Sequence, residues 1–361
     1  MPYSTHPMSS LTHHTHLTTP HNLLYSYYLS PSFASTTKSH PSLPILLFLH
    51  GYPDDAYMWA GTVPTFLNSP YPFVIVDLLG FGGTSKPGDV RLYDYRIQAD
   101  AIASVLDWEG VVGGRVIPVG HDWGSATAQR FYLYHRDRCI GLSINSLAYQ
   151  IPSAEPFNLE EANASTTKRF GYPQWEYWHF FTSPSAPNLL RLNPRRFYEV
   201  MHGHLPSPHP SENSRDIWMR EMFCVPGAMH DYITQTGNYS NYTVDLKAYA
   251  EDEALWRRFE ERLTRDGVEG AVNYYHSLRD NVMINDEKVL AEGGRSRIEV
   301  PVLYIGQTGD WMSDATSLSL VPDLEEKVVE AGHWVFYEKP EEMAGLILDW
   351  VERKFPVVEK S

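Results

Sequence analysis

Cysteine is nearly absent from this chain. Only Cys139 and Cys224 occur in 361 residues. They lie far apart, which excludes a disulfide framework and a cysteine-based zinc site and fits a reducing, cytoplasmic compartment. Long apolar runs are missing too. None approaches the ~20 residues that a membrane-spanning helix needs, so no membrane anchor is expected. Positive charge is scarce: 29 Lys and Arg stand against 44 Asp and Glu, a formal net charge of −15. That balance argues against nucleic acid and anionic membrane surfaces as partners. Residues 1–21 have neither a charged n-region nor an apolar h-region, so they do not read as a signal peptide. Rich in Ser, Thr, His and Pro, they are expected to be a disordered polar tail, with His13, His14 and His16 as an adventitious metal binder at most. The sequons at Asn163, Asn238 and Asn241 would matter only in a secreted protein.

What is present is core material. Hydrophobic residues make up 43% of the chain and aromatic ones 13%, enough for one large domain or one domain with a sizeable insert. Pro44 to His50, Pro72 to Asp77, Arg115 to Gly120 and Ile140 to Asn145 are short runs, mostly apolar on both faces. They alternate with helical spacing, as from Tyr93 to Trp108 (Ile97, Ala101, Val105, Leu106). This pattern predicts an α/β protein with a mostly parallel central sheet flanked by helices. Near residue 150 the pattern changes to aromatic and charged residues with helical stretches such as Leu246 to Leu263. Strands resume at Val300 to Gly306 and Glu326 to Glu330, followed by a helix from Pro340 to Phe355. The expected division is a core over 22–149, a helical lid over 150–294, and the second part of the core over 295–361. A lid inserted there would cover the carboxyl ends of the strands, where open α/β sheets place ligands.

Gly120-His121-Asp122-Trp123-Gly124 lies between a strand and a helix. Glycines two positions either side of a central residue allow the sharp turn that pushes a nucleophile into a cleft. An ordinary strand-to-helix turn accounts for the glycines too. The usual nucleophile is serine; here it is Asp122. A carboxylate is poorly suited to acyl transfer from an amide, but it can displace a leaving group at saturated carbon. The remaining members of such a site are expected later, in the order acid, then histidine. Asp310 sits just past the strand ending at Gly306, and His333 sits in a loop after the next strand. A helix N-cap and a surface histidine are the plain alternatives, and Asp314 is a nearby second acid. The strand before the insert ends in Ile144-Asn145-Ser146, without a carboxylate, which favours Asp310. The N–H groups of Tyr52 and Trp123 are candidates for an oxyanion hole, although His50 to Asp54 reads equally as a tight Gly-Pro turn. Tyr52-Pro53 is a candidate cis bond.

Together these residues resemble the epoxide hydrolase branch of the α/β-hydrolase fold, over roughly residues 20–357. His50-Gly51-Tyr52-Pro53 is similar to that family's His-Gly-x-Pro. Asp77 to Ser85 is similar to its Asp-x-x-Gly-x-Gly-x-Ser, with one extra residue. Gly120 to Gly124 and Gly332-His333-Trp334 resemble its nucleophile and histidine motifs. The resemblance implies two lid tyrosines that hold and protonate the epoxide oxygen. Tyr177 resembles the first and Tyr275 the second, with Tyr274 as fallback. It also implies a pocket near His50, Pro53, Trp178 and Phe181, a small epoxide and water as partners, a vicinal diol as product, and no metal or organic cofactor. A homodimer is compatible with it.

The same nucleophile motif occurs in haloalkane dehalogenases, the runner-up. They hold halide with the Trp after the nucleophile plus an Asn after His-Gly or a lid Trp. Tyr52 replaces that Asn, while Trp175 and Trp178 keep the lid version open. Fluoroacetate dehalogenases bind a substrate carboxylate with arginines soon after the nucleophile. Here Ser125 and Ala126 occupy those positions and the first arginine is Arg130. A third reading is a non-catalytic receptor of the same fold, though no triad member is lost. The aromatics Trp175, Trp178, Phe180, Phe181 and Trp218 line an apolar pocket or form lid core.

Overall fold

The computed structural model describes residues 6–208, 216–312 and 320–357. Among these residues eight strands form one sheet: β1 (Thr12–Thr18), β2 (Leu23–Leu29), β3 (Ile45–Leu49), β4 (Phe73–Val76), β5 (Val116–His121), β6 (Leu142–Asn145), and after two short strands considered below, β9 (Val302–Gln307) and β10 (Leu324–Val329). Their spatial order is β1-β2-β4-β3-β5-β6-β9-β10. From β4 to β10 all neighbours pair in parallel, and only β2 runs against its neighbours. The expected α/β class with a mostly parallel sheet is observed.

Alternation along β3 explains why the sheet is covered twice. Ile45, Leu47 and Leu49 enter one hydrophobic cluster, and Leu46 and Phe48 enter another. Successive strand side chains face opposite sides, so an unbroken apolar run needs helices on both. Four helices lie in the first part of the core: α1 (Phe33–Ser39), α2 (Val63–Leu67), α3 (Tyr95–Trp108) and α4 (Trp123–Tyr134). Among the described residues nine follow in the insert: α5 (Leu159–Phe170), α6 (Tyr177–Phe181), α7 (Ala186–Leu192), α8 (Pro194–His202), α9 (Trp218–Cys224), α10 (Ala228–Thr234), α11 (Glu253–Asp266), α12 (Glu269–Arg279) and α13 (Ile284–Glu292). The short strands β7 (Gly203–His204) and β8 (Asp245–Leu246) pair antiparallel within this insert. After β10 come α14 (Val335–Glu338) and α15 (Pro340–Lys354). Ile102, Leu106 and Phe131 of α3 and α4 bury against one sheet face. Phe66, Phe336, Ile347 and Trp350 of α2, α14 and α15 bury against the other.

Two expectations need correction. The polar tail is not disordered over residues 12–18, because β1 pairs along its whole length with β2, from Thr12 opposite Leu29 to Thr18 opposite Leu23. Most of its side chains are exposed or half-buried, so it needs no apolar alternation. Its histidines find polar partners instead: His13 bonds Ser26, and His16 bonds Ser104, each at 2.9 Å. The helical stretch expected from Leu246 is broken: a 3-10 turn covers Ala248–Glu251, and the α-helix starts at Glu253. The Asp252 carboxylate there accepts the Ala254 N–H at 2.9 Å and caps α11, as N-terminal Asp residues do.

Candidate active site

The carboxyl ends of β3, β5, β9 and β10 lead directly into the loops that hold Tyr52, Asp122, Asp310 and His333. Asp122 has φ 53° and ψ −124°, a left-handed backbone that an aspartate adopts only under constraint. The flanking glycines supply the room. A Cβ on Gly124 would fall on the carbonyls of Leu49 and His50, and one on Gly120 on the carbonyl of Gly124. Asn145 braces the turn from β6. Its carbonyl accepts the Asp122 N–H at 3.3 Å and the Ser125 hydroxyl at 2.8 Å, and its side-chain amide donates to the Gly120 carbonyl at 2.6 Å.

Two oxygens of one carboxylate are distinguished. Oδ1 of Asp122 accepts the Tyr52 N–H at 2.8 Å, and the Trp123 N–H also bonds the carboxylate. Oδ2 lies 3.6 Å from Nε2 of His333. On the far side of that ring, Nδ1 bonds Oδ2 of Asp310 at 2.8 Å. Oδ1 of Asp310 accepts the Met312 N–H at 2.9 Å. Asp122 keeps 21% of its side chain exposed and Asp310 none, so only Asp122 is open to a ligand. Burial pushes the Asp122 carboxyl above its ordinary range, against the pull of His333 and the two N–H groups. Burial alone would lower His333, but the Asp310 carboxylate outweighs it and the imidazole stands above its ordinary value. Asp314 lies outside the described residues.

Aromatic side chains from the insert close over the elbow. The rings of Tyr177 and Tyr275 are 5.8 Å apart and nearly perpendicular. Tyr275 stands edge-on to Tyr52 and Trp123, each at 5.2 Å, with Trp178 at 5.3 Å and Phe181 at 5.0 Å. Burial first, and then the charge of Asp122, push the Tyr177 phenol well above its ordinary value; burial and the neighbouring Tyr177 do the same to Tyr275. Tyr274 differs: its hydroxyl donates to Gln98 of α3 at 2.7 Å. Adjacent helix residues point about 100° apart, so the two tyrosines cannot share one environment.

Other expected residues sit differently. Tyr52-Pro53 is cis, and Pro53 borders a narrow crevice with Phe81, Phe197 and Arg262. His50 does not line a pocket. It is wholly buried, with Nδ1–H donating to the Gly51 carbonyl at 2.9 Å and Nε2 accepting the Leu78 N–H at 3.0 Å. Both ring nitrogens are thus spent on joining the loops after β3 and β4. Trp218 belongs to the core of the insert, with its indole N–H donating to the Glu199 carbonyl at 2.8 Å. Arg130 is equally committed. Its guanidinium donates twice to Glu287 of α13 at 2.7 Å and once to the Gln150 carbonyl at 2.7 Å. A substrate carboxylate would have to displace Glu287 to reach it.

Sequence reasoning passed over Asn145 and His121. Nε2–H of His121 donates to the His333 carbonyl at 2.8 Å, and burial holds that imidazole neutral, well below its ordinary pKa. Its place beside the nucleophile was the one available signal. For Asn145 the signal was its position at a strand end.

A model described as the alpha/beta hydrolase family matches residues 46–346. Epoxide hydrolase A of Mycobacterium tuberculosis is 27% identical over 323 residues, 86% of this chain and 91% of that protein. Epoxide hydrolase srdG of Neurospora crassa is 25% identical over 350 residues, 95% of this chain and 96% of that protein. Among solved structures, an epoxide hydrolase from an endophytic Streptomyces superposes with a TM-score of 0.72 at 23% identity, covering 95% of this chain and 96% of that one. With a family model spanning most of the chain and this sheet beneath the elbow, the chain belongs to the alpha/beta hydrolase family.

Proposed function

We propose that this protein is an epoxide hydrolase that works through an aspartyl ester. The observation that carries the reading is the elbow carboxylate, with Oδ1 on the Tyr52 N–H and Oδ2 turned toward His333. The names of the full-length relatives support it. Oδ2 of Asp122 attacks an epoxide carbon in line. The C–Oδ2 bond forms as the ring C–O bond breaks, and the electron pair goes to the departing oxygen. Tyr177 and Tyr275 donate hydrogen bonds to that oxygen, and one of them gives up its proton. Oδ1 becomes the ester carbonyl. His333, oriented by Asp310, then takes a proton from water as the oxygen attacks that carbonyl. The N–H groups of Tyr52 and Trp123 stabilise the oxyanion. Collapse expels the diol oxygen, which takes the proton from His333. This leaves Asp122 as a carboxylic acid, whose proton passes through solvent to the tyrosinate, so that the carboxylate and the phenol are both restored.

Trp178 and Phe181 act in this reading as walls of the pocket, and the insert acts as a lid. A cytoplasmic location and a homodimer go with it as further proposals. Two buried free cysteines support the first, and sedimentation velocity tests the second. Among the described residues no helix is long and apolar enough to cross a membrane.

The test is product analysis of purified protein against aryl epoxides, alkyl epoxides and haloalkanes. Diol without halide release is expected. Halide release instead of diol would replace the reading with a dehalogenase.

The pH dependence follows from the shifted groups. Ester formation needs Asp122 ionised, a form that the charge of a protonated His333 favours. Ester hydrolysis needs His333 neutral, and its pKa is raised above 6.5. As pH falls, kcat is therefore lost first and kcat/KM later. Both phenols stay protonated past their ordinary value of 10, so no alkaline loss is expected up to that pH. Profiles of both parameters check this; an alkaline limb below pH 9 would speak against the tyrosines as acids.

A further inference from the structure

We propose that Lys247 and Glu338 are positioning residues for the hydrolytic half of the reaction, acting on His333 through the backbone of Gly332. The proposal rests on the epoxide hydrolase reading. The His333 ring is held by Asp310, but its place also depends on the peptide that precedes it. Both carboxylate oxygens of Glu338, in α14, accept the Gly332 N–H at 3.1 Å. Nζ of Lys247 donates to Oε1 of Glu338 at 2.7 Å. Lys247 follows β8 in the insert. Its backbone N–H donates to the His202 carbonyl at 3.0 Å, and its ammonium lies 3.3 Å from Asp216. A cation carried by the insert thus holds a core carboxylate, which holds the peptide before the base.

The fit depends on Gly332. A Cβ there would fall on the Lys247 ammonium and lie 2.7 Å from Oε1 of Glu338. This accounts for the glycine of Gly332-His333-Trp334 as room for the ion pair. The pair is mostly shielded, with 15% of the Lys247 side chain and 20% of Glu338 exposed. Removing one partner strands a poorly solvated charge, so the loop must rearrange. Ester formation uses Asp122, the Tyr52 and Trp123 N–H groups and the tyrosines, none of which lies in this loop. Water activation uses Nε2 of His333, so a shifted loop slows the second step alone.

The test uses the full chain with styrene oxide, rapid quenching and intact-mass measurement, which time ester formation and ester decay separately. In Lys247→Met and in Glu338→Gln, ester decay should slow about tenfold or more while formation stays within about twofold, as expected when a reacting group is misplaced by a fraction of an ångström. Lys247→Arg should restore most of the decay rate. Thermal midpoints matching wild type establish folding, and the near-isosteric Glu338→Gln carries the test if Lys247→Met does not fold. Slowing of both steps together, or of neither, overturns the proposal. Wild-type protein that forms neither ester nor diol overturns the epoxide hydrolase reading itself, and this inference with it.

Discussion

His333→Gln should yield a protein that opens an epoxide once and then stops. Nothing in ring opening requires the imidazole, because Asp122 is already held for attack by the Tyr52 N–H at 2.8 Å. Hydrolysis of the ester does require it. Loss of a general base typically costs 10²–10⁴ in rate, so steady-state diol formation should fall by about three orders of magnitude. Glutamine suits the site: its amide can donate to Asp310, replacing the 2.8 Å bond of Nδ1, and it leaves no unpaired carboxylate buried. Intact mass should show one adduct per chain. The mass itself discriminates, since epoxide opening expels nothing and adds the whole substrate, whereas alkylation by a haloalkane adds the substrate less its hydrogen halide. Wild-type turnover in this variant would remove His333 from the role of base.

Tyr177→Phe combined with Tyr275→Phe should abolish ring opening. Phenylalanine keeps the rings that pack against Phe223 at 4.8 Å and Phe181 at 5.0 Å, so folding should survive while both hydroxyls go. An unassisted epoxide would have to leave as a bare alkoxide in a dry pocket. Removing one donor of this kind typically costs 10²–10³, so the double variant should lose about 10⁴ or more in the alkylation rate constant. The raised pKa of both phenols keeps them as proton donors beside an ionised Asp122, since a phenolate there would repel the nucleophile. Each single variant should be slowed less than the pair, because the remaining hydroxyl still bonds the oxygen. Single-turnover adduct formation checks this. Retention of more than about a tenth of wild-type alkylation, far above what loss of both donors allows, would take both tyrosines out of the mechanism.

Much of this site is local and so was legible in the sequence. The elbow is a five-residue pattern whose glycines are required by backbone carbonyls next to them. The order of Asp310 and His333 is legible because each follows its own apolar strand within a few residues. Apolar runs without alternation likewise announced a sheet covered on both faces. The edge strand β1 was not legible, because its stability lies in backbone pairing with β2, to which polar side chains contribute no pattern. His50 belongs to a motif, yet the motif does not say that both of its nitrogens are spent on the backbone.

What the sequence by itself pointed to is a kind of chemistry: a carboxylate where serine is usual, an acid and a histidine behind it, and only two cysteines and an acidic charge balance beside them. What only the tertiary structure decided is which groups are already committed. Tyr274 bonds Gln98, 176 positions away, and Arg130 bonds Glu287 across 157. Lys247 reaches Glu338 across 91. Hydrophobic periodicity and turn chemistry act over a few residues, so they are written in the sequence. A hydrogen bond between distant side chains depends on how separately formed elements dock, and that is settled by packing.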